Sequence, residues 1–549
     1  MGLAPPGILS PLRMPFRHPS SMPEDSMARR DYSSPMLRRL APAVTLLLLT
    51  ALPLRAQLGL ITVPRGSFRV DISGGFFPND QFWNRGARIP LGKVLDGARS
   101  PAIAALQSSL GALLGQAVSG LTLGGITAIA SREHGVADIG FAYGLTPRIT
   151  IFGNVPVTYT RSRITPTFDG TTSRVGINPA NPKLGTSSGR TILFFSQFTT
   201  ALDTLRQRVQ RSYYTGTTAN LAQQTLTDAT TMRAALNALL LDPISASSVL
   251  PTASDPYTVQ LLAKIAALEA TLSGSLALPT PLTGGPDFPT ATLSSADFNN
   301  LLEEPTALGL SSPNNLPGWG IGDMSAGLAI ALVHHGAATG GASTSAWLRA
   351  TAQFPNATAA NPAILLDQGT GVRGKSFQLD GIFERSARVL GVRVEATFQH
   401  HLPTNLLTRP TTPDNVLVPP GFLAAVTTRL GDSSAVTARP WLAFAPHLAL
   451  SAVFQYWRRG ASSTTYLTGQ APIANVEPTA LDVGSAATAF VVGVGFSYFH
   501  DGRSRRGAVS LPLEAGWSIE RTVSSSDGIM PDNLTTRVYL RIYRPLIRQ

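Results

Sequence analysis

The sequence contains no cysteine, which excludes disulfide bonds and thiolate metal sites. Lysine is almost absent, with four residues against forty arginines. The arginines are scattered singly and form no basic run of the kind that binds nucleic acid. Beyond residue 56 there is no apolar run of about eighteen residues, so no membrane-spanning helix is expected in that part of the chain. These absences exclude thiol chemistry, nucleic-acid binding and helical membrane spans there.

One apolar run lies near the N-terminus and predicts a secretory signal peptide at residues 36–56. Residues 36–39 read MLRR, residues 40–54 are largely apolar, and Ala56 is a plausible last residue before cleavage. The alternative is an N-terminal anchor that stays attached. Residues 1–35 are expected to be disordered or an over-extended start. Residues 1–56 hold seven arginines and three acidic residues, so about +8 of the formal charge of +12 belongs to the rest of the chain.

The rest of the chain contains segments in which apolar residues alternate with polar ones. Residues 67–76, 148–161 and 537–543 all have this period of two, which is that of a β-strand with one apolar face. Val70, Val155 and Leu540 lie on apolar faces. In a soluble sandwich such a face points at the core, whereas in an outer-membrane barrel it points at lipid and the polar face lines the lumen.

Twelve candidate strands can be placed, and their connections favour the barrel. They span residues 66–77, 132–144, 148–161, 320–334, 345–355, 375–386, 389–401, 433–445, 448–459, 485–499, 508–522 and 534–546. Short connections alternate with long ones, as in bacterial barrels with short periplasmic turns and long outer loops. Outward aromatics such as Phe76, Phe377 and Tyr456 suit a membrane-boundary girdle. We therefore predict an all-β, antiparallel transmembrane β-barrel of about twelve strands, within roughly 10–14, in a single domain over residues 57–549.

Two long loops are expected to contain helices, which makes this a barrel with a helical insertion in an extracellular loop. Residues 78–131 contain a helical pattern at 100–119, and residues 162–319 contain three or four further amphipathic segments. Asp255-Pro256 is typical of a helix start, whereas Asp242-Pro243 is typical of a stop. The helices are expected either to cap the outer mouth or to plug the lumen.

A glycine motif precedes the fourth strand, where residues 320–323 read GIGD and Gly327 follows. It is not a phosphate loop, because its glycine spacing is wrong and no helix follows. Together with residues 298–302, and with the early turn at residues 143–148, this segment resembles the outer-membrane family named for the phenol meta-cleavage pathway. The resemblance implies a β-barrel that transports hydrophobic or aromatic compounds.

Charged residues recur on the faces predicted to point inward, where they can pair. The candidate lumen-lining residues are Arg69, Asp71, Asp138, Asp323, Arg349, Asp380, Glu384, Arg393, Glu395, Arg439, Glu514, Glu520, Arg537 and Arg541. One interpretation is a ladder of ion pairs that fills a narrow lumen and fixes strand register. The other is a polar lining for a solute path. Twelve strands leave only a narrow passage, which argues against a wide general porin.

No catalytic, cofactor or metal residue is predicted. His334-His335 and His400-His401 are adjacent pairs on strands, so their side chains point to opposite faces and cannot chelate one ion. An outer-membrane lipid hydrolase would need a serine within reach of its base, and no such partner for His400 is identifiable.

The sequence therefore predicts a non-enzymatic outer-membrane channel or transporter in a Gram-negative-type bacterium, exported through a cleaved signal peptide. Its mechanism would be passive uptake of small, hydrophobic or aromatic molecules. The alternatives are a structural or surface-interaction barrel without transport and, third, an outer-membrane lipid hydrolase. Expected partners are outer-membrane lipid, a small-molecule solute and the barrel-assembly machinery, with no nucleic acid; the oligomeric state is left open.

Overall fold

Twelve long antiparallel strands form the main sheet of the protein. The computed structural model describes residues 60–95, 100–279, 282–305, 307–311, 318–335, 342–387, 389–412, 415–445, 447–473, 476–500 and 512–545. The strands are β1 (Ser67–Asn79), β2 (Gly125–Gly144), β3 (Ile149–Asp169), β4 (Ser325–His335), β5 (Ala342–Gln353), β6 (Ser376–Ala387), β7 (Leu390–His401), β8 (Ser433–Ala445), β9 (Leu448–Arg459), β10 (Ala487–His500), β11 (Leu513–Ser526) and β12 (Leu534–Pro545). All twelve predicted strands are present, and β8 and β9 have the predicted bounds.

The sheet closes on itself. Each strand pairs with its neighbours in chain order. Asp71 of β1 lies opposite Gly140 of β2 on one side and opposite Arg541 of β12 on the other. The first and last strands are therefore joined, and the fold is a closed up-and-down barrel of twelve strands, as predicted.

The two ends of the barrel differ in the length of the connections between strands. Residues 145–148, 388–389 and 446–447 join strands at one end, called here the short-turn end. Residues 80–124, 170–324, 354–375, 402–432 and 460–486 join strands at the other end, called the long-loop end. This is the predicted alternation.

The barrel wall is apolar outside and polar inside. The large apolar side chains exposed on its strands include Ile72, Phe76, Ile139, Phe141, Ile151, Leu328, Phe377, Leu379, Phe383, Phe398, Val436, Phe454, Tyr456, Val494, Phe496 and Val538. At alternate positions Asp380 and Glu514 are fully buried. Val70, Val155 and Leu540 are half-buried on the outward face. A soluble sandwich would bury that face, so the fold is that of a transmembrane β-barrel.

Five helices in the long loops share one dry core, and they are called here the cap. They are α1 (Pro101–Leu114), α2 (Gly189–Gln210), α3 (Gly216–Leu240), α4 (Pro256–Ala270) and α5 (Ser295–Glu303). Leu110, Phe198, Leu236 and Leu261 are buried in this core. Each helix thus buries the apolar stripe that its sequence predicted.

The cap packs on the inner face of the barrel at the long-loop end. Ala130 of β2 and Ile164 of β3 belong to its core. Phe168 of β3 stacks on Phe298 of α5 with ring centroids 4.8 Å apart. Leu365 and Leu417, from two other connections, complete the same core. Four separate loops therefore meet in one structure.

Local sequence signals set the helix ends. The carboxylate of Asp255 accepts a hydrogen bond from the Tyr257 amide at the start of α4, as predicted for this cap. A capping box formed by Ser294 and Asp297 starts α5. The end of α1 is earlier than predicted, at Leu114, because Gly115 takes a left-handed conformation with φ 73°.

The structure also contains elements that the sequence did not predict. The strands β2 and β3 have 20 and 21 residues, and their extra length rises beyond the apolar belt to support the cap. Small sheets form in the loops from Gln81–Asn84, Ala87–Pro90 and Ile529–Pro531, and from Thr404–Thr408, Ala424–Arg429 and Ser463–Tyr466. The short strand Gly318–Ile321 extends the main sheet beside β3.

Among the described residues, no helix combines the length and apolar character needed to cross a bilayer. The predicted signal peptide and residues 1–35 lie outside the described residues.

Candidate functional site in the barrel lumen

Thirteen of the fourteen candidate residues lie on barrel strands at inward-facing positions. They are Arg69 and Asp71 on β1, Asp138 on β2, Arg349 on β5, Asp380 and Glu384 on β6, Arg393 and Glu395 on β7, Arg439 on β8, Glu514 and Glu520 on β11, and Arg537 and Arg541 on β12. Strand register sets opposite charges directly across from each other. Arg349 faces Asp380, Glu384 faces Arg393, and Glu514 faces Arg541.

The first ionic cluster joins β11, β12 and β1. The Nη1 of Arg541 lies 3.1 Å from the Oε1 of Glu514, and its Nε lies 3.4 Å from the Oδ1 of Asp71. The Oδ2 of Asp71 lies 2.8 Å from the Nη2 of Arg69. The Tyr543 hydroxyl donates to the Oε2 of Glu514 at 3.3 Å. Four charges of mixed sign are thus held across the seam where the barrel closes.

The second cluster lies on β5, β6 and β7. Arg349 donates through Nε to Asp380 and through Nη2 to Glu395, both at 2.7 Å. Asp380 also accepts hydrogen bonds from Gln378 at 2.7 Å and Thr397 at 2.8 Å. A fully buried carboxylate needs several such partners, because an unpaired charge away from water is strongly unfavourable. This cluster is built as a structural ion pair.

Most of the remaining inward charges contact side chains on the same strand or on a neighbouring strand. Arg393 donates to Glu384 at 2.7 Å and faces Arg439 in the register of β7 and β8. The Nε of Arg439 has no hydrogen-bond partner among the described residues. Asp138 accepts from Asn154 at 2.9 Å, and Glu520 accepts from Ser518 at 3.2 Å. The lumen therefore contains ion pairs that have several hydrogen-bond partners, and also groups such as the Arg439 Nε that have no partner among the described residues.

A cavity of about 230 Å³ brings many of the candidate residues together. Arg69, Asp71, Asp138, Arg349 and Arg541 all line it. Apolar and aromatic groups contribute to the same wall, namely Ile61, Phe152 and Tyr539. Because these residues come from six strands around the barrel and from the segment before β1, the space is an interior compartment and not a surface groove.

The segment that precedes β1 occupies the short-turn end of this compartment. Ile61 packs against Ala331, Trp347 and Ile382. The carbonyl of Leu60 accepts a hydrogen bond from the Nη1 of Arg69 at 2.8 Å. The Val63 amide donates to the Oγ1 of Thr150 at 2.8 Å. Residues 60–63 thus narrow the lumen at that end, a feature that the strand pattern did not reveal.

Residues 354–375, called here the inserted loop, narrow the lumen at the long-loop end. The Ser162 hydroxyl on the inner face of β3 donates to the carbonyl of Leu366 at 2.7 Å. The Thr370 hydroxyl donates to the carbonyl of Ile321 at 2.9 Å. A side chain at Gly320 would lie 2.5 Å from the Cγ2 of Thr370, so glycine is required for this approach.

Asp323 was expected on the fourth barrel strand and lies just before it. It lies between the strand Gly318–Ile321 and β4, where its carboxylate accepts from the Ala357 amide at 3.0 Å and the Arg373 amide at 2.9 Å. Asp323 therefore fixes both ends of the inserted loop. The GIGD motif is explained by this contact, in which the glycine makes room and the aspartate holds the loop.

The histidines have structural partners. The Nδ1 of His334 lies 2.9 Å from the Oγ of Ser345, and the Nδ1 of His400 lies 3.2 Å from a carboxylate oxygen of Asp432. Across the described ranges, no three His, Asp or Glu side chains are grouped as a metal ion would require. Within the same ranges, no serine hydrogen-bonds to His400, although its acidic partner is present.

Comparison with known proteins gives structural neighbours but no relatives in sequence. No family model and no curated protein matches the chain. The COG4313 outer membrane channel from Pseudomonas putida F1 has a TM-score of 0.38 at 8% identity, covering 89% of this chain and 99% of that one. The P. putida toluene transporter TodX has a TM-score of 0.25 at 10% identity, covering 88% and 90%. The translocator domain of the autotransporter NalP from Neisseria meningitidis has a TM-score of 0.27 at 8% identity, covering 92% and 94%. Similarity this low carries no functional information about this chain.

Proposed function

We propose that this protein is an outer-membrane channel for the passive passage of small solutes. The observation that supports it best is the interior cavity lined by Arg69, Asp138 and Arg349, which lies between two short segments that enter the barrel. Neither segment is a barrel strand, so either can move without breaking the wall. A solute would enter beneath the cap, pass the inserted loop and leave past residues 60–63.

The membrane placement follows from the wall. Its exposed apolar side chains form a belt around the barrel, and between the two rims the charges of the wall face the lumen. The predicted signal peptide would deliver such a chain across the inner membrane, and the barrel-assembly machinery would insert it. We place the long-loop end on the cell surface, because bacterial barrels have short turns on the periplasmic side.

We further propose that the solutes are hydrophobic or aromatic molecules. This substrate class is what the resemblance through the GIGD motif and the turn at residues 143–148 implies. The mixed wall of Phe152, Tyr539 and ion pairs suits a small ring better than a simple ion. The volume of about 230 Å³ limits the solute to a small molecule, because drug-sized ligands occupy pockets of roughly 300–1,000 Å³.

An engineered disulfide tests whether the inserted loop controls passage. Since the chain has no cysteine, Gly320→Cys with Thr370→Cys introduces a single possible bridge. A Cβ at Gly320 would lie 3.4 Å from the Cβ of Thr370, close to the usual separation of about 3.5–4.5 Å. In planar bilayers we expect the oxidised variant to conduct several-fold less than the reduced one. The single-cysteine variants are the controls, and they should not respond to reductant.

The converse change is Asp323→Ala, which removes both hydrogen bonds that hold the inserted loop. We expect this variant to conduct more than the native protein. Liposome uptake of a neutral aromatic solute would then follow the same order. If purified native protein gives neither conductance nor uptake, the transport proposal is wrong. If conductance is present but insensitive to the disulfide, the inserted loop is not the gate.

Two other functions keep specific support. The saturated ion pairs of Arg349 and Arg541 suit a structural or surface-interaction barrel without transport, which the conductance measurement separates. The His400–Asp432 pair is the nearest approach to a lipid hydrolase site. Hydrolysis of outer-membrane lipid by the purified protein, lost in His400→Ala, would favour that third function.

A further inference from the structure

Arginines replace apolar side chains on the outward face near the long-loop end. On β3, Tyr159 is followed two residues later by Arg161 and then by Arg163. The same change occurs from Tyr456 to Arg458 on β9. Residues two apart lie on one face of a strand, about 6–7 Å along its axis. On these two strands the apolar belt therefore ends at a tyrosine, and the next outward-facing side chain is an arginine.

Two aromatic side chains lie next to Arg161 and Arg163 on the outward face. The rings of Tyr159 and Trp319 meet edge to face at 5.1 Å, and Trp319 is 66% exposed. The Tyr159 hydroxyl donates to the Oε2 of Glu133 at 3.2 Å. Tryptophan and tyrosine prefer the boundary between hydrocarbon and lipid headgroups. This pair therefore marks where headgroup chemistry begins on this side of the barrel.

The two arginines above it have unused bonding capacity. Among the described residues, neither Arg161 nor Arg163 forms an ion pair, although Glu133 lies opposite Arg161 in the strand register. The Nε of Arg161 is buried and has no described hydrogen-bond partner. Arg163 is exposed and lies opposite Ser131. Two guanidinium groups thus face outward, side by side, with one buried donor unused.

We propose that Arg161 and Arg163 bind a phosphate group of lipid A in the outer leaflet, with Trp319 and Tyr159 against its acyl chains. Guanidinium matches phosphate with paired, charge-assisted hydrogen bonds. Lipid A carries its phosphates just outside the hydrocarbon layer, which is where these arginines lie. The proposal rests on the outer-membrane placement given above, but not on transport.

The short-turn end supplies a matched control. Arg385 on β6 and Arg544 on β12 are also exposed, and they share the outward face with Phe383 and Ile542. Replacing this pair removes the same charge at the opposite rim. In our placement that rim faces the inner leaflet, which contains phospholipid.

The test is native mass spectrometry of the full-length barrel extracted from outer membranes in mild detergent. We expect the native protein to retain lipid A and the double variant Arg161→Gln with Arg163→Gln to retain about tenfold less, as loss of charged hydrogen bonds predicts. Arg385→Gln with Arg544→Gln should retain the native amount. Heat-modifiability on a gel establishes that each variant is folded.

Added lipids identify the ligand. Lipid A should rebind to delipidated native protein, whereas dephosphorylated lipid A, phosphatidylglycerol and inorganic phosphate should not compete at equal concentration. Equal retention by both double variants would overturn the site, as would competition by phosphatidylglycerol. Native protein that conducts but never carries lipid A would contradict this proposal and leave the channel intact. If the native protein does not conduct, but retains lipid A that Arg161→Gln with Arg163→Gln loses, the lipid A site stands and the channel proposal is wrong.

Discussion

The barrel wall and the cap use similar apolar side chains in opposite ways. Val494 on β10 is 51% exposed, and Ile192 on α2 is 52% exposed. Val494 belongs to an apolar belt that runs around the barrel, whereas Ile192 and its neighbour Leu193 form a small apolar patch on a helix whose other face is buried. The exposed fraction of one side chain therefore does not show whether that side chain faces lipid or water. The surrounding pattern does, because only the belt continues from strand to strand around the barrel.

The same contrast holds for charge. In the wall, ion pairs such as Glu514–Arg541 are buried inside the lumen, whereas in the cap Arg206–Asp203 lies on the surface with both side chains about half exposed. The cap follows the rules of a water-soluble helical domain and the wall reverses them. Four experiments test how the two regions differ.

The largest effect is expected in the cap core. Phe198 is fully buried and meets Phe194 edge to face at 5.6 Å. We expect Phe198→Ala to destabilise the cap by about 3–5 kcal/mol, because it leaves a cavity. Phe454→Ala on the outward face of β9 is the control and should have a smaller effect, since lipid can fill the space. The loss of stability is measured by urea unfolding, followed by the helical circular dichroism signal. Equal shifts of the two variants would contradict the proposed difference between the cap core and the lipid-facing wall.

Removal of a lumen charge should have a comparable effect on the barrel. Glu514→Gln weakens the bonds to Arg541 and Tyr543, and breaking a buried pair typically destabilises by about 3–5 kcal/mol. Asp203→Asn in the exposed pair should change stability by about 0–1 kcal/mol. The temperature at which each variant loses its fast-migrating folded form on a gel measures the difference. A small effect of Glu514→Gln would indicate a hydrated lumen.

An arginine scan of the two matched positions separates lipid from water. Val494→Arg should destabilise the inserted barrel by about 2–4 kcal/mol, because Val494 lies near the middle of β10 and faces hydrocarbon. Ile192→Arg, with the same exposure, should stay within about 0.5 kcal/mol. Folding yield into lipid vesicles provides the measurement. If both variants insert equally well, the outward belt does not contact lipid.

The smallest effect is expected just after α3, where Asp242 is partly exposed to water. Its carboxylate accepts hydrogen bonds from the Ser245 and Ile244 amides, both at 2.8 Å, and these lower the pKa of Asp242 from its ordinary value of 3.8. Because the pKa of Asp242 is lower in the folded state, the charged carboxylate stabilises the folded state above pH 3.8. This stabilisation is lost as the pH falls through the pKa of Asp242 in the folded protein. Asp242→Asn should speed hydrogen exchange of these two amides at neutral pH and change little in acid. An equal change at both pH values would contradict this assignment.

Local patterns predicted most of the fold. Strand alternation placed all twelve strands, because a wall that faces lipid on one side and a polar lumen on the other must alternate at every position. Capping residues such as Asp255 placed helix starts. The extra length of β2 and β3 escaped prediction, since those residues leave the membrane and no longer obey its alternation.

The site was predicted less completely. Register could not be inferred from sequence, so the pairing of Arg349 with both Asp380 and Glu395 emerged only from the structure. The contacts of Asp323 escaped prediction for the same reason, since its partners are backbone amides in the inserted loop. Residues 60–63 and the inserted loop enter the lumen through contacts distant in sequence, which periodicity does not encode. The one available signal was Gly320, whose missing side chain indicates a close approach.

Arg541 connects neighbouring strands at the point where the chain meets its own beginning, since it bonds Glu514 from β11 and Asp71 from β1. An open sheet would leave this guanidinium with only half of its partners. Closure of the barrel and completion of this ionic cluster are therefore one event, and the cluster holds the seam from the lumen side.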